Sequence, residues 1–546
     1  MGGENSDKKE MKNGIFLFAG FDKTHAFDNI FSSGKQSAFE LSLRWAMGVK
    51  GESSFAVAVN SFTEPLVKAV LEKCSCSEKF SLVKRDDWNT QLLAEELSAF
   101  AARTSSSCVV LAFGDCPFLN LSLTEEVLDS HKKYLAEYSF ADGWPLGFAP
   151  EVIDSGALNI LNGIAKGENC SAAKLPVTKE SLFGIIKTDV NSFEIETVMA
   201  PKDYRMYRLD FSCSSKANTL ACLELCKIEP SAICADGKSA DAKCLSDAAV
   251  KSAEVQQTVP AFYNIQISKA EKISSIYNPY SKKTLEICGM EFENFCKLLS
   301  SIEDFSENAV LGLGTWADPL LNPEFEKYAL EVLSHKGLSL LIETDGIGCV
   351  EGDLAEKVRK LSEEASGRVT WIVNLDAFSP GVYNLIHGSA DSSAFAKSTR
   401  AVQVLSQLFP GNVWPQFTRM NANECELETF YRYWHDKSSP SGGNVIIQKF
   451  DHACQFFSDE RPADLSPLSR NPCWHLKRDM TVLGNGDVPL CRENEPFAQD
   501  PLIVGNVFSE GIQAVWEKFK PYLKEQIEKK YCGKCGKCDE YYTFNF

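Results

Sequence analysis

Ser339-Leu-Leu-Ile-Glu343, Asp353-Leu-Ala-Glu-Lys-Val-Arg-Lys-Leu-Ser-Glu-Glu364 and Val369-Thr-Trp-Ile-Val-Asn-Leu375 read as one strand, one helix and a second strand. Two short apolar runs separated by an amphipathic stretch at helical spacing need a crossover connection, and a crossover joins parallel strands. The rhythm extends both ways, with strands predicted at 261–267 and 309–312 upstream and at 413–417 and 444–449 downstream. Helices are predicted at 290–300 and 323–336. About six such units predict an open, partial (β/α)6 barrel, not a closed eight-fold one.

The segment before it has the same texture. Strands at 15–18, 55–59, 80–83 and 108–113 alternate with helices at 36–46, 65–72 and 90–102, which predicts an α/β domain with a mainly parallel sheet covered on both faces. Residues 212–259 are rich in Ser, Ala, Lys and Asp and read as a linker. After about residue 455 regular patterning fades into turns, a hairpin signal over 480–490 around Gly484-Asn485-Gly486, a helix and a cysteine cluster. The expected division is 1–211, a linker at 212–259, a barrel at 260–455 and a small irregular module at 456–546.

Length and composition agree. A chain of 546 residues exceeds what one core usually holds. No apolar run approaches the roughly 20 residues of a membrane helix. Residues 1–12 are polar and charged, so a cytoplasmic, reducing setting is expected, in which tightly spaced cysteines read as metal ligands and scattered ones as packing. The net charge of -18 would repel a phosphate backbone, so nucleic acid is not an expected partner.

Of the 20 cysteines, five crowd the end: Cys473, Cys491 and the triplet Cys532-Gly-Lys-Cys535-Gly-Lys-Cys538. C-x2-C-x2-C with interleaved glycines lets thiolates converge from one loop, and Cys473 and Cys491 flank the hairpin signal as C-x12-G-x4-C. From Lys518 to Cys538 seven lysines face two glutamates, a local inversion of sign that suits an anionic cluster. One 4Fe-4S cluster with one spare cysteine is the expectation, and a four-cysteine zinc site is the alternative. The remaining cysteines, Cys222, Cys226, Cys288 and Cys454 among them, read as packing.

These tail motifs, with Asn471-Pro-Cys-Trp-His-Leu-Lys-Arg-Asp-Met480, Gly486-Asp-Val-Pro-Leu-Cys491 and Gly505-Asn-Val507, resemble a SPASM or shortened twitch domain, the auxiliary iron-sulfur module behind radical-SAM barrels. The barrel resembles a radical-SAM partial barrel through its first strand at Pro260–Ser268, Trp316-Ala-Asp-Pro319, Glu343-Thr-Asp-Gly346 and Asn374-Leu-Asp376. Where that family places C-x3-C-x2-C, this chain has Glu271, Ser275 and Asn278. The resemblance therefore implies a barrel without its cluster and no cleavage of S-adenosylmethionine. Asp318 stands as the remnant of a ligand-binding Glu.

Gly114-Asp-Cys-Pro-Phe-Leu-Asn120, Pro145-Leu-Gly-Phe-Ala-Pro-Glu151 and Pro201-Lys-Asp203 resemble cytidylyltransferase-like proteins of the glycosyltransferase A type. That implies Mg²⁺ and a nucleotide at Asp115, with Lys23 standing in for the family's phosphate-cradling loop. Together the three parts resemble the spiro-SPASM family. The expected function is an iron-sulfur protein in electron transfer, binding of a redox or peptide partner, or an accessory role. The alternatives are a sugar nucleotidyltransferase and a radical-SAM-family enzyme with a non-standard active site.

Overall fold

The computed structural model describes residues 12–51, 53–167, 170–233, 240–268, 275–279, 289–389, 391–463, 467, 469–495 and 501–540. The chain divides into two units, 1–256 and 257–546.

The first unit is built on seven strands: β1 (Asn13–Phe18), β2 (Ser53–Val59), β3 (Phe80–Lys84), β4 (Cys108–Phe113), β5 (Tyr138–Asp142), β6 (Glu151–Asp154) and β7 (Ile195–Met199). Their order is β3-β2-β1-β4-β6-β5-β7. β1 lies parallel between β2 and β4, with Ile15 opposite Phe55 on one side and Val110 on the other. Every residue of β1 and β4 is buried, which is why both read as unbroken apolar runs. β6 reverses direction and pairs antiparallel with β4 and β5. Helices start where the sequence supplies a cap: the side chains of Ser37, Asn89 and Asn120 each accept a backbone N–H of the first turn.

The 212–259 segment, expected as a linker, folds into helices Lys216–Ile228, Ala242–Lys251 and Ala253–Gln256. Its small residues are interior: Cys222, Leu225, Leu245 and Ala249 pack with Phe148, Tyr204 and Phe211 in a core of their own. Alanine and serine gave the segment its linker texture, but spaced every three or four residues they form a helix face that packs closely.

The second unit holds β8 (Phe262–Ile265), β9 (Ala309–Gly312), β10 (Leu338–Thr344), β11 (Val369–Asn374), β12 (Val413–Arg419) and β13 (Ile446–Lys449), the six strands expected. Along β10 and β11, Leu340, Ile342, Trp371 and Val373 are buried in the helix-covered core, while Leu341, Glu343 and Ile372 line the concave interior. A seventh strand, β14 (Asp479–Val482), comes from the C-terminal module and pairs parallel with β8, Asp479 opposite Phe262.

The tail differs from expectation in two ways. The turn at Gly486 is present, but its two arms enter different sheets: β14 joins the barrel, whereas β15 (Asp487–Pro489) pairs antiparallel with β16 (Ile503–Asn506). The expected hairpin is therefore a fork. Nor is the module separate. Met480, Val488, Leu490, Val515, Trp516 and Phe519 belong to the same apolar core as the barrel strands, and the Trp516 indole N–H donates to the Thr258 carbonyl at 2.9 Å. No helix among the described residues is long and apolar enough to cross a membrane.

Candidate metal centre

Each terminal cysteine is aimed by a different local device. Cys473 is the N-cap of the helix Trp474–Arg478, which sets its sulfur beside the first turn. Cys491 follows β15, which the Gly486 turn redirects. Gly486 has φ +87°, and a Cβ there would stand 2.3 Å from the Phe508 ring. Cys535 and Cys538 come from the 3-10 turn Gly533–Gly536 and the residues after it. Gln526 Oε1 accepts the Cys473 N–H at 2.8 Å, and Gln526 and Cys535 line the same cavity.

Cys473, Cys491, Cys535 and Cys538 face one another. Every pair among the four interacts electrostatically, and all four line one cavity of about 220 Å³ at the carboxyl end of the barrel strands. Burial, reinforced by neighbouring sulfurs, pushes the Cys473 thiol up to about 12, and burial with the Glu493 carboxyl pushes Cys491 well up. Cys535 moves the same way through burial and then Cys538. The thiols of Cys473, Cys491 and Cys535, each pushed up by burial and neighbouring sulfurs, need a cationic group among them to become thiolates together, so the donor set fits a metal centre. N–H groups aimed at sulfur already serve the charged form: Asn494 Nδ2 donates to Cys491 Sγ at 3.2 Å and the Glu540 N–H to Cys538 Sγ at 3.3 Å.

Cys532 is placed differently. It is exposed and lines an outer cleft of about 790 Å³ with Lys530, Lys534 and Lys537, where its sulfur interacts with Cys535. A sixth cysteine takes its place near the quartet. Cys454, read from its isolation as packing, interacts electrostatically with Cys538 and Cys491 and lines the same cavity. Ala453, Cys454 and Gln455 all have positive φ, +48°, +54° and +70°, and such residues cost about 1–3 kcal/mol each unless their surroundings hold them. Sequence spacing gave no signal for Cys454, because its approach depends on where β13 ends.

The barrel mouth next to this cavity holds the positions expected for lost cysteines. Glu271 lies outside the described residues. Ser275 and Asn278 are buried and hydrogen-bonded: Ser275 Oγ lies 3.2 Å from His387 Nδ1, and Asn278 Nδ2 donates to the Trp316 carbonyl at 2.6 Å. Behind them Asp376, wholly buried, accepts from the Tyr277 hydroxyl at 2.6 Å and the Thr418 N–H at 2.5 Å, with His387 Nε2 at 3.2 Å. Asp318 accepts from the Thr344 hydroxyl at 2.7 Å and the Leu320 N–H at 2.9 Å. Burial, then the Asp345 charge, push its carboxyl up to about 7. The cavity these groups line is about 100 Å³, and Trp316 and Arg492, stacked at 4.5 Å, line both this cavity and the thiol site.

In the first unit, Asp115 is 1% exposed and its nearest charge is the Lys179 ammonium at 3.5 Å. Burial raises its pKa, with Lys179 opposing. An ammonium thus already neutralises the carboxylate expected to hold Mg²⁺. Lys23 is exposed. A pocket of about 500 Å³ lies next to them, lined by Lys179, Lys187, Arg205, Arg208 and Asp142 among others; Asp115 and Lys23 are not among its described lining residues.

Comparison with known proteins bears on the tail and on the whole chain. A family model described as SPASM, an iron-sulfur cluster-binding domain, matches residues 473–539. An uncharacterised protein of Treponema pallidum (strain Nichols) is 40% identical over 374 residues, 67% of this chain and 98% of that protein. Among solved structures, Streptococcus suis SuiB bound to precursor peptide SuiA is 11% identical with a TM-score of 0.39, covering 54% of this chain and 74% of that one. A cytidylyltransferase from Leptospira borgpetersenii is 17% identical with a TM-score of 0.35, covering 43% and 93%.

Proposed function

We propose that this chain, which belongs to one family with the uncharacterised Treponema pallidum protein and ends in a SPASM iron-sulfur cluster-binding domain, holds one 4Fe-4S cluster on Cys473, Cys491, Cys535 and Cys538 and uses its barrel for binding, not for cleaving S-adenosylmethionine. The observation that carries this reading is the contrast within one unit. Four half-buried cysteines face a shared cavity, while Ser275 and Asn278 are tied into hydrogen bonds in a space of about 100 Å³. When bound, the cluster would supply one-electron redox chemistry. The chain's own residues aim N–H donors at the sulfurs of Cys491 and Cys538. The cavity beside them, lined by Asn264, Glu343, Gln416, Gln448 and Arg492, suits a polar partner such as a peptide segment.

Anaerobic purification, with iron and acid-labile sulfide counted per chain, tests the reading. About four irons are expected in the native protein and almost none in Cys535→Ala. One zinc without labile sulfide would overturn it, and steady release of 5'-deoxyadenosine would overturn the non-cleaving barrel.

A second reading concerns the first unit. Lys179, Lys187, Arg205 and Arg208 around a 500 Å³ pocket favour an anionic ligand such as a nucleotide. A thermal shift with CTP that disappears in Lys187→Ala would support it, and no shift with any nucleoside triphosphate would count against it.

A further inference from the structure

The iron-sulfur reading needs four thiolates, yet the cavity is lined by a fifth cysteine that lies outside the residues matched by the SPASM model. Cys454 sits on the segment after β13 and Cys538 on the C-terminal tail. These two stretches are strapped together on both sides of the sulfurs. Lys449, before Cys454, pairs with Asp539 at 3.0 Å and with Glu540 at 2.5 Å, directly after Cys538. Arg461, beyond Cys454, pairs with Asp539 at 2.7 Å. The approach of the Cys454 segment to the Cys538 segment is therefore fixed by chain geometry, through three acid–base contacts. Cys454 also lines the outer cleft as well as the cavity, so it stands at the boundary between the quartet and the lysine-lined surface.

We propose that Cys454 is a fifth ligand position of the iron-sulfur site, placed to take over the iron that Cys538 holds. The proposal rests on the iron-sulfur reading above. In the exchange the Fe–S bond to Cys538 breaks and one to Cys454 forms. The proton of the incoming thiol would leave on the outgoing sulfur. No electron moves and no co-reactant is needed. Cys532 is the contrasting case, exposed on the outer cleft, and it has no such role.

The test uses the full-length protein reconstituted anaerobically, with iron and sulfide counted, electron paramagnetic resonance of the reduced state recorded and far-ultraviolet circular dichroism as the check on folding. Cys538→Ala is expected to keep more than about half of the native iron with a shifted resonance, and Cys454→Ala/Cys538→Ala less than about a tenth. Cys454→Ala alone is expected to keep its iron but to release it to a chelator several-fold faster. If Cys538→Ala folds and is as empty as Cys535→Ala, the proposal is overturned, and so it is if the double variant keeps as much iron as the single one. Should Cys538→Ala fail to fold, Cys538→Ser gives the same comparison through a poorer ligand. A native protein without iron would overturn the underlying reading, whereas loss in Cys538→Ala alone overturns only this one.

Discussion

Two cavities share a wall at the carboxyl end of one parallel sheet, and they have opposite chemistry. The outer one is lined by sulfurs whose ionisation is mutually opposed, a site left incomplete until a cation joins it. The inner one is closed by its own hydrogen bonds. The Tyr277 hydroxyl and the Thr418 N–H donate to Asp376, Ser275 Oγ meets His387 Nδ1, and Asn278 donates to a backbone carbonyl. The difference teaches that one end of a sheet can carry both a site open to a ligand and one closed by its own side chains. Ser275 and Asn278 take part in the closed one as a structural lock.

The sharpest way to break this comparison is Asp376→Ala. It leaves the Tyr277 hydroxyl and the Thr418 N–H facing no acceptor and removes the carboxylate beside His387, so a loss of about 3–5 kcal/mol in urea unfolding is expected, with iron per folded chain unchanged. Iron loss in the folded variant would show that the two cavities are not independent. Next in size is Gly486→Ala, which forces a left-handed φ of +87° on a side chain aimed 2.3 Å from Phe508. About 1–3 kcal/mol of stability should be lost, and iron retention should weaken because the turn sets the position of Cys491. Native stability with full iron would mean that the fork tolerates another path.

Asp318→Asn probes the inner lock by pH. The folded carboxyl keeps its proton to about 7, whereas an unfolded one releases it near 4. Between those values the folded state binds more protons, so native stability falls as pH rises through that window and levels off above about 7. The variant lacks this dependence. It should gain on the native protein by on the order of 2 kcal/mol at pH 8 relative to pH 4.5, read from chemical denaturation at the two pH values. A pH-independent difference would count against a buried, protonated Asp318. The smallest effect is expected for Cys532→Ala, where iron content and resonance should be unchanged; cluster loss there would move Cys532 into the ligand set.

Much of this was legible beforehand, for identifiable reasons. The barrel strands declared themselves through period and crossover length, and β10 and β11 carry the alternation that separates core from interior. Local spacing also found the five terminal cysteines. What spacing could not find was long-range: the closeness of Cys454 to Cys538 depends on ion pairs across the fold, and the partner of β14 is a strand far upstream. The 212–259 helices were hidden because alanine, serine and cysteine look like linker until their spacing shows a packing face. The Asp115 loop was found, but Lys179, which neutralises it, lies 64 residues away and has no sequence signature.

The pairing of β14 with β8 has a consequence for biogenesis. During synthesis the first barrel strand emerges with one hydrogen-bonding edge bare, and its partner is made more than about two hundred residues later. Ribosomes add about 5–20 residues per second, so that edge stays open for roughly ten to forty seconds. A nascent chain stalled or truncated in that interval would present an unpaired, apolar-flanked strand, which makes the C-terminal module the seal that protects the middle from self-association.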